Sequence, residues 1–249
     1  MRHEPVQALQ AAAGGGVRAQ PQRPRLVIAG ATGVLGNEVL RRLVGLGLHG
    51  STEVLAREPI RAGLRAVGSR VVEGDDPAQW VAGAADTGVV LFEPPRLFYD
   101  RERALWTPRP EQLPALAHWM RRSGVGTLAV VLPHAQGRLP EALKRGLASL
   151  DEQAVAALGF ERLLIVRSAR KPEAESANGP LAAVARWMRG VFGYMVPGTE
   201  QPVRSVRVAE FVAAALQLAP QGIHVAAPET VWQAAQGDAR AAVRGWLSG

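Results

Sequence analysis

The chain has 249 residues, of which 47% are hydrophobic, and this is enough for one large α/β domain with a full core. It contains no cysteine, which excludes disulfides and thiolate metal sites. The net charge is +7, but the basic residues form no stripe interleaved with aromatic residues, which argues against a nucleic-acid-binding surface. The sequence has no apolar run of membrane-spanning length and its N-terminus lacks the apolar stretch of a signal peptide, so we expect a cytoplasmic protein with no membrane partner.

Short apolar segments alternate with helical patterns along the first two thirds of the chain. Residues 1–24, rich in alanine, glycine and proline, predict a flexible tail. The apolar segments predict strands at residues 25–29, 53–56, 70–73, 88–92, 126–132 and 162–166, and the patterns between them predict helices at 77–82, 111–122 and 141–158. Strands that are apolar throughout and separated by helices indicate a parallel sheet covered on both faces. We therefore predict an α/β fold with a doubly wound parallel sheet, the Rossmann fold.

The last third of the chain departs from this alternation. Residues 169–180 are polar and contain two prolines, which predicts a loop. Helical patterns follow around residues 181–192, 206–218 and 229–247, with a short apolar segment at 222–226. We predict one domain over residues 25–249, with a small C-terminal lobe formed mainly by 169–205 and 219–249.

A glycine-rich loop directly follows the first predicted strand and opens the first helix. In the G-x-x-G-x-x-G pattern, Gly30 permits a tight turn, Gly33 lets the backbone approach a pyrophosphate, and Gly36 lets the helix pack closely on the sheet. The helix N-terminus offers N–H groups and a partial positive charge to phosphates, and Thr32 could cap the helix or donate to a phosphate oxygen. The pattern predicts a dinucleotide site; the alternative is a tight turn without a ligand. The predicted loop ligands are Gly30, Thr32, Gly33, Val34, Leu35 and Gly36.

The end of the second predicted strand bears on which dinucleotide would bind. NAD enzymes of this type place an acidic residue there to hold the ribose hydroxyls. This chain has Arg57, whose guanidinium could pair with a 2′-phosphate, and Arg61 and Arg65 follow. These residues favour NADP(H). In the competing interpretation Glu58 binds the ribose hydroxyls, and the cofactor is NAD(H).

Taken in order, the GATGVLG loop, the strand ending at Arg57 and the run Val71-Val72-Glu73-Gly74-Asp75 resemble one family. They resemble the atypical and extended short-chain dehydrogenase/reductases, in particular the NmrA-like and Tat-interacting-protein-like branch. Residues 123–128 and 152–169 resemble that family's approaches to its fifth and sixth strands, so the resemblance covers about residues 25–235.

The resemblance implies an NAD(P)-binding fold with adenine near Asp75 and Asp76 and the pyrophosphate at residues 32–36. It places the nicotinamide between the ends of strands four to six, where Phe92 and Glu93 complete the predicted cofactor-binding set. The C-terminal lobe would complete a substrate cleft.

The acid/base pair of the family is missing from this sequence. Catalytic members use Tyr-x-x-x-Lys, in which the lysine lowers the pKa of the tyrosine. Here the two tyrosines, Tyr99 and Tyr194, are followed four residues later by Arg103 and Gly198. Two catalytic candidates could replace the pair. They are His134 and Glu93, which follow the fifth and fourth predicted strands.

Each candidate also has a structural interpretation. His134 could be a loop histidine bonded to the backbone, and Glu93 could bind a ribose hydroxyl. Pro94-Pro95, directly after Glu93, makes the backbone rigid beside the expected cofactor. The connection 94–110 is long and contains Phe98, Tyr99 and Trp106. It predicts either a lid over the site or an ordinary surface loop whose aromatic side chains pack against the rest of the domain.

Three functions therefore stay open from the sequence. The favoured one is a redox-sensing or regulatory dinucleotide-binding protein without dehydrogenase activity. The second is an NADP-dependent oxidoreductase or epimerase-like enzyme that uses His134 or Glu93, and the third is a structural or interaction protein with a vestigial nucleotide site. The scattered histidines predict no metal site, a homodimer is compatible with this organisation, and the substrate or effector is not indicated.

Overall fold

The described residues form one sheet of seven parallel strands. The computed structural model describes residues 23–60, 67–96, 99–134, 146–169 and 203–248. The strands within these ranges are β1 (Arg25–Ala29), β2 (Ser51–Ala56), β3 (Val67–Val71), β4 (Thr87–Leu91), β5 (Thr127–His134), β6 (Arg162–Ala169) and β7 (Gly222–Ala226).

The strand order is β3-β2-β1-β4-β5-β6-β7, and every adjacent pair is parallel. The order reverses at β1, which pairs with β2 on one side and with β4 on the other. This is the doubly wound Rossmann arrangement, and the predicted fold class is confirmed. The crevice at the carboxyl ends of β1 and β4 is the topological switch point, where open α/β sheets bind their ligands.

Helices cover both faces of the sheet. The described α-helices are α1 (Gly33–Gly45), α2 (Asp100–Arg103), α3 (Leu113–Arg122), α4 (Leu150–Ala156), α5 (Ser205–Leu218), α6 (Pro228–Ala235) and α7 (Ala239–Ser248). Short 3₁₀ turns lie at Pro77–Gln79 and Pro110–Gln112. None of the helices in these ranges is both long and apolar enough to cross a bilayer.

Alternate residues of the central strands belong to two separate hydrophobic cores, one on each face of the sheet. Leu26 and Ile28 of β1 belong to the core under α1 and α5. Val27 and Ala29 belong to the core under α3, which also contains Trp80, Trp106 and Trp119. This alternation follows from the two-residue period of a strand, and it explains why the central strands read as apolar throughout.

Several element boundaries differ from those predicted. β3 begins at Val67 rather than residue 70, and the predicted helix at 77–82 is one 3₁₀ turn capped by Asp76. The helix predicted at 229–247 is two helices, because Gly237 interrupts it and the Asp238 carboxylate accepts the Arg240 N–H to begin α7. The helix predicted at 141–158 is helical only over Leu150–Ala156 within the described residues, because the Ser149 hydroxyl accepts the Glu152 N–H and caps its start; residues 135–145 lie outside the described ranges.

The C-terminal segment 219–248 extends the sheet and its helical layer. β7 pairs with β6 along Arg162–Val166, and α6 and α7 pack with α5 on one face. Residues 170–202, including the predicted helix at 181–192, lie outside the described ranges. The predicted lobe therefore stays a prediction, as does the tail, of which residues 1–22 are not described.

Candidate functional site

The glycine loop lies at the switch point, between β1 and α1, and two of its glycines are held too closely for any side chain. Gly30 has a positive φ of 76°, and a Cβ there would lie 2.0 Å from the Leu91 carbonyl oxygen. A Cβ on Gly36 would lie 2.6 Å from the Gly30 carbonyl oxygen. These contacts are the tight turn and the close helix–sheet packing that the glycine spacing predicts.

The N–H groups at the start of α1 are already bound to the chain's own carboxylates. The Gly33 N–H donates to Glu102 Oε2 at 2.9 Å, and the Leu35 N–H donates to Glu93 Oε2 at 2.5 Å. Gly33 has a φ of 68°, and a Cβ on it would lie 2.3 Å from Glu93 Cδ, so the Glu93 side chain fills the space against this glycine. The loop therefore binds oxyanions, as its geometry predicts, but the oxyanions are internal.

Thr32 and Val34, two further predicted cofactor ligands, differ in exposure. Thr32 is fully buried, and its hydroxyl donates to the Glu93 carbonyl at 2.5 Å and lies 3.1 Å from the Thr107 hydroxyl. It makes no capping hydrogen bond to α1, although it occupies the N-cap position. Val34 is 47% exposed and lies at the open side of the loop.

Glu102 is the most heavily bonded residue of the site. Besides Gly33, it accepts hydrogen bonds from the Asn37 amide at 2.8 Å and from the Arg96 backbone N–H at 2.9 Å. The Arg96 guanidinium donates through Nε at 2.8 Å and also through Nη2. Burial opposes ionisation of this carboxyl, but these hydrogen bonds outweigh burial and hold its pKa below the usual range. Glu102 is therefore ionised in the folded protein at neutral pH.

The predicted adenosine side of the site holds a second set of internal contacts. Arg57 Nη2 pairs with Asp75 Oδ1 at 2.9 Å, both side chains being about half exposed. The Trp106 indole N–H also donates to Asp75, at 3.2 Å. The Asp76 carboxylate accepts the Ala78 N–H at 3.0 Å, so it caps the 3₁₀ turn at the position where the resemblance implies adenine.

Residues 104–106 run antiparallel to the end of β2. The Arg57 N–H donates to the Ala104 carbonyl at 2.7 Å, and the Trp106 N–H donates to the Leu55 carbonyl at 2.9 Å. The Trp106 carbonyl accepts the Gly30 N–H at 3.2 Å, and its indole is fully buried, edge-on to Trp80 at 4.7 Å. For the connection 94–110, the prediction that aromatic side chains pack against the rest of the domain holds for Trp106. The same segment also covers the end of β2.

The structure describes the side chain of one catalytic candidate, Glu93, and only the backbone of the other, His134. Glu93 is held at the glycine loop, toward the pyrophosphate end of the predicted site. His134 ends β5, in register with Ala169 of β6, and its side chain lies outside the description. Phe92 is half-buried and packs on the core that contains α3. Among the described residues no group of acidic residues and histidines could hold a metal ion.

In the described conformation the glycine loop is occupied by carboxylates of the same chain. The Glu93 and Glu102 carboxylates already use two N–H donors of the loop, and their negative charge opposes a pyrophosphate. Trp106 and its neighbours cover the end of β2, where the adenosine half would lie. The loop offers N–H donors and lacks side chains, as phosphate binding requires, but the Glu93 and Glu102 carboxylates lie where the phosphates would bind.

A hollow of about 570 Å³ lies at the opposite edge of the sheet, at the amino ends of the strands. It is lined in part by His49, Asp86 and Arg162. Burial lowers the pKa of His49, and the charge of Asp86 opposes that shift. Because ligands of parallel α/β sheets bind at the carboxyl edge, the glycine loop is the better candidate.

Sequence reasoning missed the residues that complete this arrangement. Glu102, Asn37 and Arg96 were not candidates, and Trp106 was considered only as one aromatic residue of a long connection. The signal that could have found them is the location of that connection. It starts at the carboxyl end of β4, beside the glycine loop, so its polar residues fall within reach of the N–H groups of α1.

No protein-family model matches the chain, and no curated protein sequence matches it. Solved structures similar to it include the UDP-N-acetylglucosamine 4-epimerase from Bacillus cereus, at 13% identity and a TM-score of 0.44 over 90% of this chain and 96% of that one. Another is the Bordetella bronchiseptica enzyme WbmH in complex with NAD⁺, at 13% identity and a TM-score of 0.40 over 85% and 80%. A third is a Rossmann-fold NAD(P)-binding family protein from Shigella flexneri, at 18% identity and a TM-score of 0.39 over 69% and 87%. The similarity is one of fold.

Proposed function

We propose that the chain is a nicotinamide-dinucleotide-binding protein of the Rossmann type with a sensing or regulatory role. The observation that carries the proposal is that backbone N–H groups of Gly33 and Leu35 bind two oxyanions at the switch point of the sheet. Phosphate oxygens need the same donors in the same place. The glycine spacing, with Gly30 and Gly36 held against backbone atoms, supports the same assignment.

A regulatory role is supported by the lack of a proton relay. The sequence has no Tyr-x-x-x-Lys pair, and Glu93, one of the two replacements considered, has its carboxylate bound to the Leu35 N–H. Loss of general acid catalysis alone costs roughly 10²–10⁴-fold in rate. We therefore expect no appreciable turnover of aldehydes, ketones or quinones with NADPH, and a robust rate that disappears in His134→Ala would contradict this.

The proposal includes a preference for NADP(H), carried by Arg57. A guanidinium–phosphate pair at such a half-exposed position is worth about 1.5–3 kcal/mol, or roughly ten- to a hundredfold in affinity. Arg57→Ala should therefore weaken NADPH far more than NADH, and an equal loss for both would refute the preference. A cytoplasmic compartment, which suits a chain without cysteine, and a homodimer as the assembly are part of the same proposal.

The test of dinucleotide binding is a calorimetric titration of NADPH and NADH against the full chain and two variants of Val34. Val34 is exposed in the first turn of α1, where an added carboxylate is compatible with the helix dipole but repels a pyrophosphate. Val34→Asp should bind at least tenfold more weakly than Val34→Asn, which has nearly the same size and no charge. Equal binding by both variants would mean that the ligand does not approach this loop.

A further inference from the structure

Three side chains of one connection occupy the predicted dinucleotide site, and together they are called here the internal plug: Glu93, Glu102 and Trp106. The two carboxylates lie on the N–H groups where the pyrophosphate is expected. The indole donates to Asp75, the residue near which the resemblance implies adenine. The chain thus supplies two anions and a flat aromatic ring in place of a nucleotide's phosphates and base.

The members of the internal plug are held with very different strength. Glu102 is 4% exposed and accepts hydrogen bonds from Gly33, Asn37 and Arg96, so it stays in place. The Glu93 carboxylate is half-buried, and within the described ranges it accepts one hydrogen bond, from Leu35. Its side chain can therefore leave the loop at the cost of one charge-assisted bond and of its attraction to the Arg96 guanidinium. The space against Gly33 opens when it leaves.

Trp106 is attached through its backbone as well as its ring. Its N–H and carbonyl bond to Leu55 and Gly30, and residue 104 bonds to the N–H of Arg57. These contacts join the connection to the carboxyl ends of β1 and β2, with an isolated antiparallel bridge between Leu105 and Ala56. Because this bridge lies at the end of β2, a ligand that binds there would displace it.

We propose that the internal plug is an autoinhibitory element, so that dinucleotide binding requires Glu93 to leave the Leu35 N–H and residues 104–106 to detach from β2. This inference rests on the proposed function. It predicts that the wild type binds more weakly than the glycine loop allows, because a closed population reduces the apparent affinity by the fraction that is open. It also predicts that ligand binding loosens the connection rather than ordering it.

The first test compares affinities for NADPH by calorimetry in the full chain. Glu93→Gln keeps the size of the side chain and removes its charge, and Glu93→Ala also opens the space against Gly33. Glu111→Gln is the matched control, because it changes the net charge by the same amount at an exposed position outside the site. Both Glu93 variants should bind about tenfold more tightly than the wild type, equivalent to ~1.4 kcal/mol, and the control should bind within about twofold of it.

The second test is hydrogen exchange measured by mass spectrometry with and without saturating NADPH. Peptides that contain the N–H groups of Arg57 and Trp106 should exchange faster in the presence of the ligand, because their bonds to residues 104 and 55 are broken. Unchanged affinity in both Glu93 variants, or slower exchange of these peptides with NADPH, would overturn the inference while leaving the proposed function intact. An absence of binding in the wild type and in Glu93→Ala would instead overturn the proposed function, and this inference with it.

Discussion

Replacement of Trp106 tests how firmly the connection is held over the end of β2. The side chain is fully buried, lies edge-on to Trp80 and belongs to the core under α3. Truncation of a buried tryptophan to alanine costs about 3–5 kcal/mol in the free energy of unfolding. We expect Trp106→Ala to fall in this range, and Trp106→Phe, which keeps a ring but loses the hydrogen bond to Asp75, to cost about 1–2 kcal/mol.

The assay is urea unfolding followed by far-ultraviolet circular dichroism, which avoids the signals of the other tryptophans. The slope of the transition should be unchanged, so that the midpoint reports stability. If the internal plug is autoinhibitory, the same substitution weakens the closed conformation, and NADPH should bind Trp106→Ala at least tenfold more tightly than the wild type. A loss of less than about 1 kcal/mol in Trp106→Ala would show that the ring is not part of the core and would refute the packing argument.

Two further predictions concern the glycine loop and its anions. Gly36→Ala should destabilise the protein by about 1–3 kcal/mol because the new Cβ meets the Gly30 carbonyl oxygen, whereas Gly45→Ala, in the same helix with nothing within 4 Å, should stabilise it by about 0.5–1 kcal/mol. Thermal unfolding shows whether each variant is less or more stable than the wild type. If both substitutions change the stability equally, the close contact at Gly36 relaxes. Because the folded-state pKa of Glu102 is lowered, its contribution to stability is complete above the pKa of the unfolded chain and is lost as the pH falls through the folded-state value. Glu102→Gln should therefore be less stable than the wild type at neutral pH, with a difference that narrows in acid; parallel stability curves would argue against an ionised Glu102.

The amino-acid sequence by itself determined the fold class and the location of the glycine loop. Apolar strands and amphipathic helices of the right lengths allow few arrangements other than a doubly wound sheet, because parallel strands need crossovers and both faces need cover. Gly30, Gly33 and Gly36 mark the loop through local requirements, namely a positive φ at the first two and a close approach of backbone at the third. Such requirements depend on neighbouring residues and can be read from spacing alone.

Only the tertiary structure decided what lies in the loop. Glu93 accepts a hydrogen bond from an N–H group 58 residues away in sequence, and Glu102 accepts one from an N–H group 69 residues away. No local pattern links them to the loop. They meet it because β4 pairs beside β1, which brings the connection after β4 to the N-terminus of α1. Whether a backbone N–H binds a phosphate or a carboxylate of the same chain depends on this long-range pairing, and the spacing of the glycines contains no information about it.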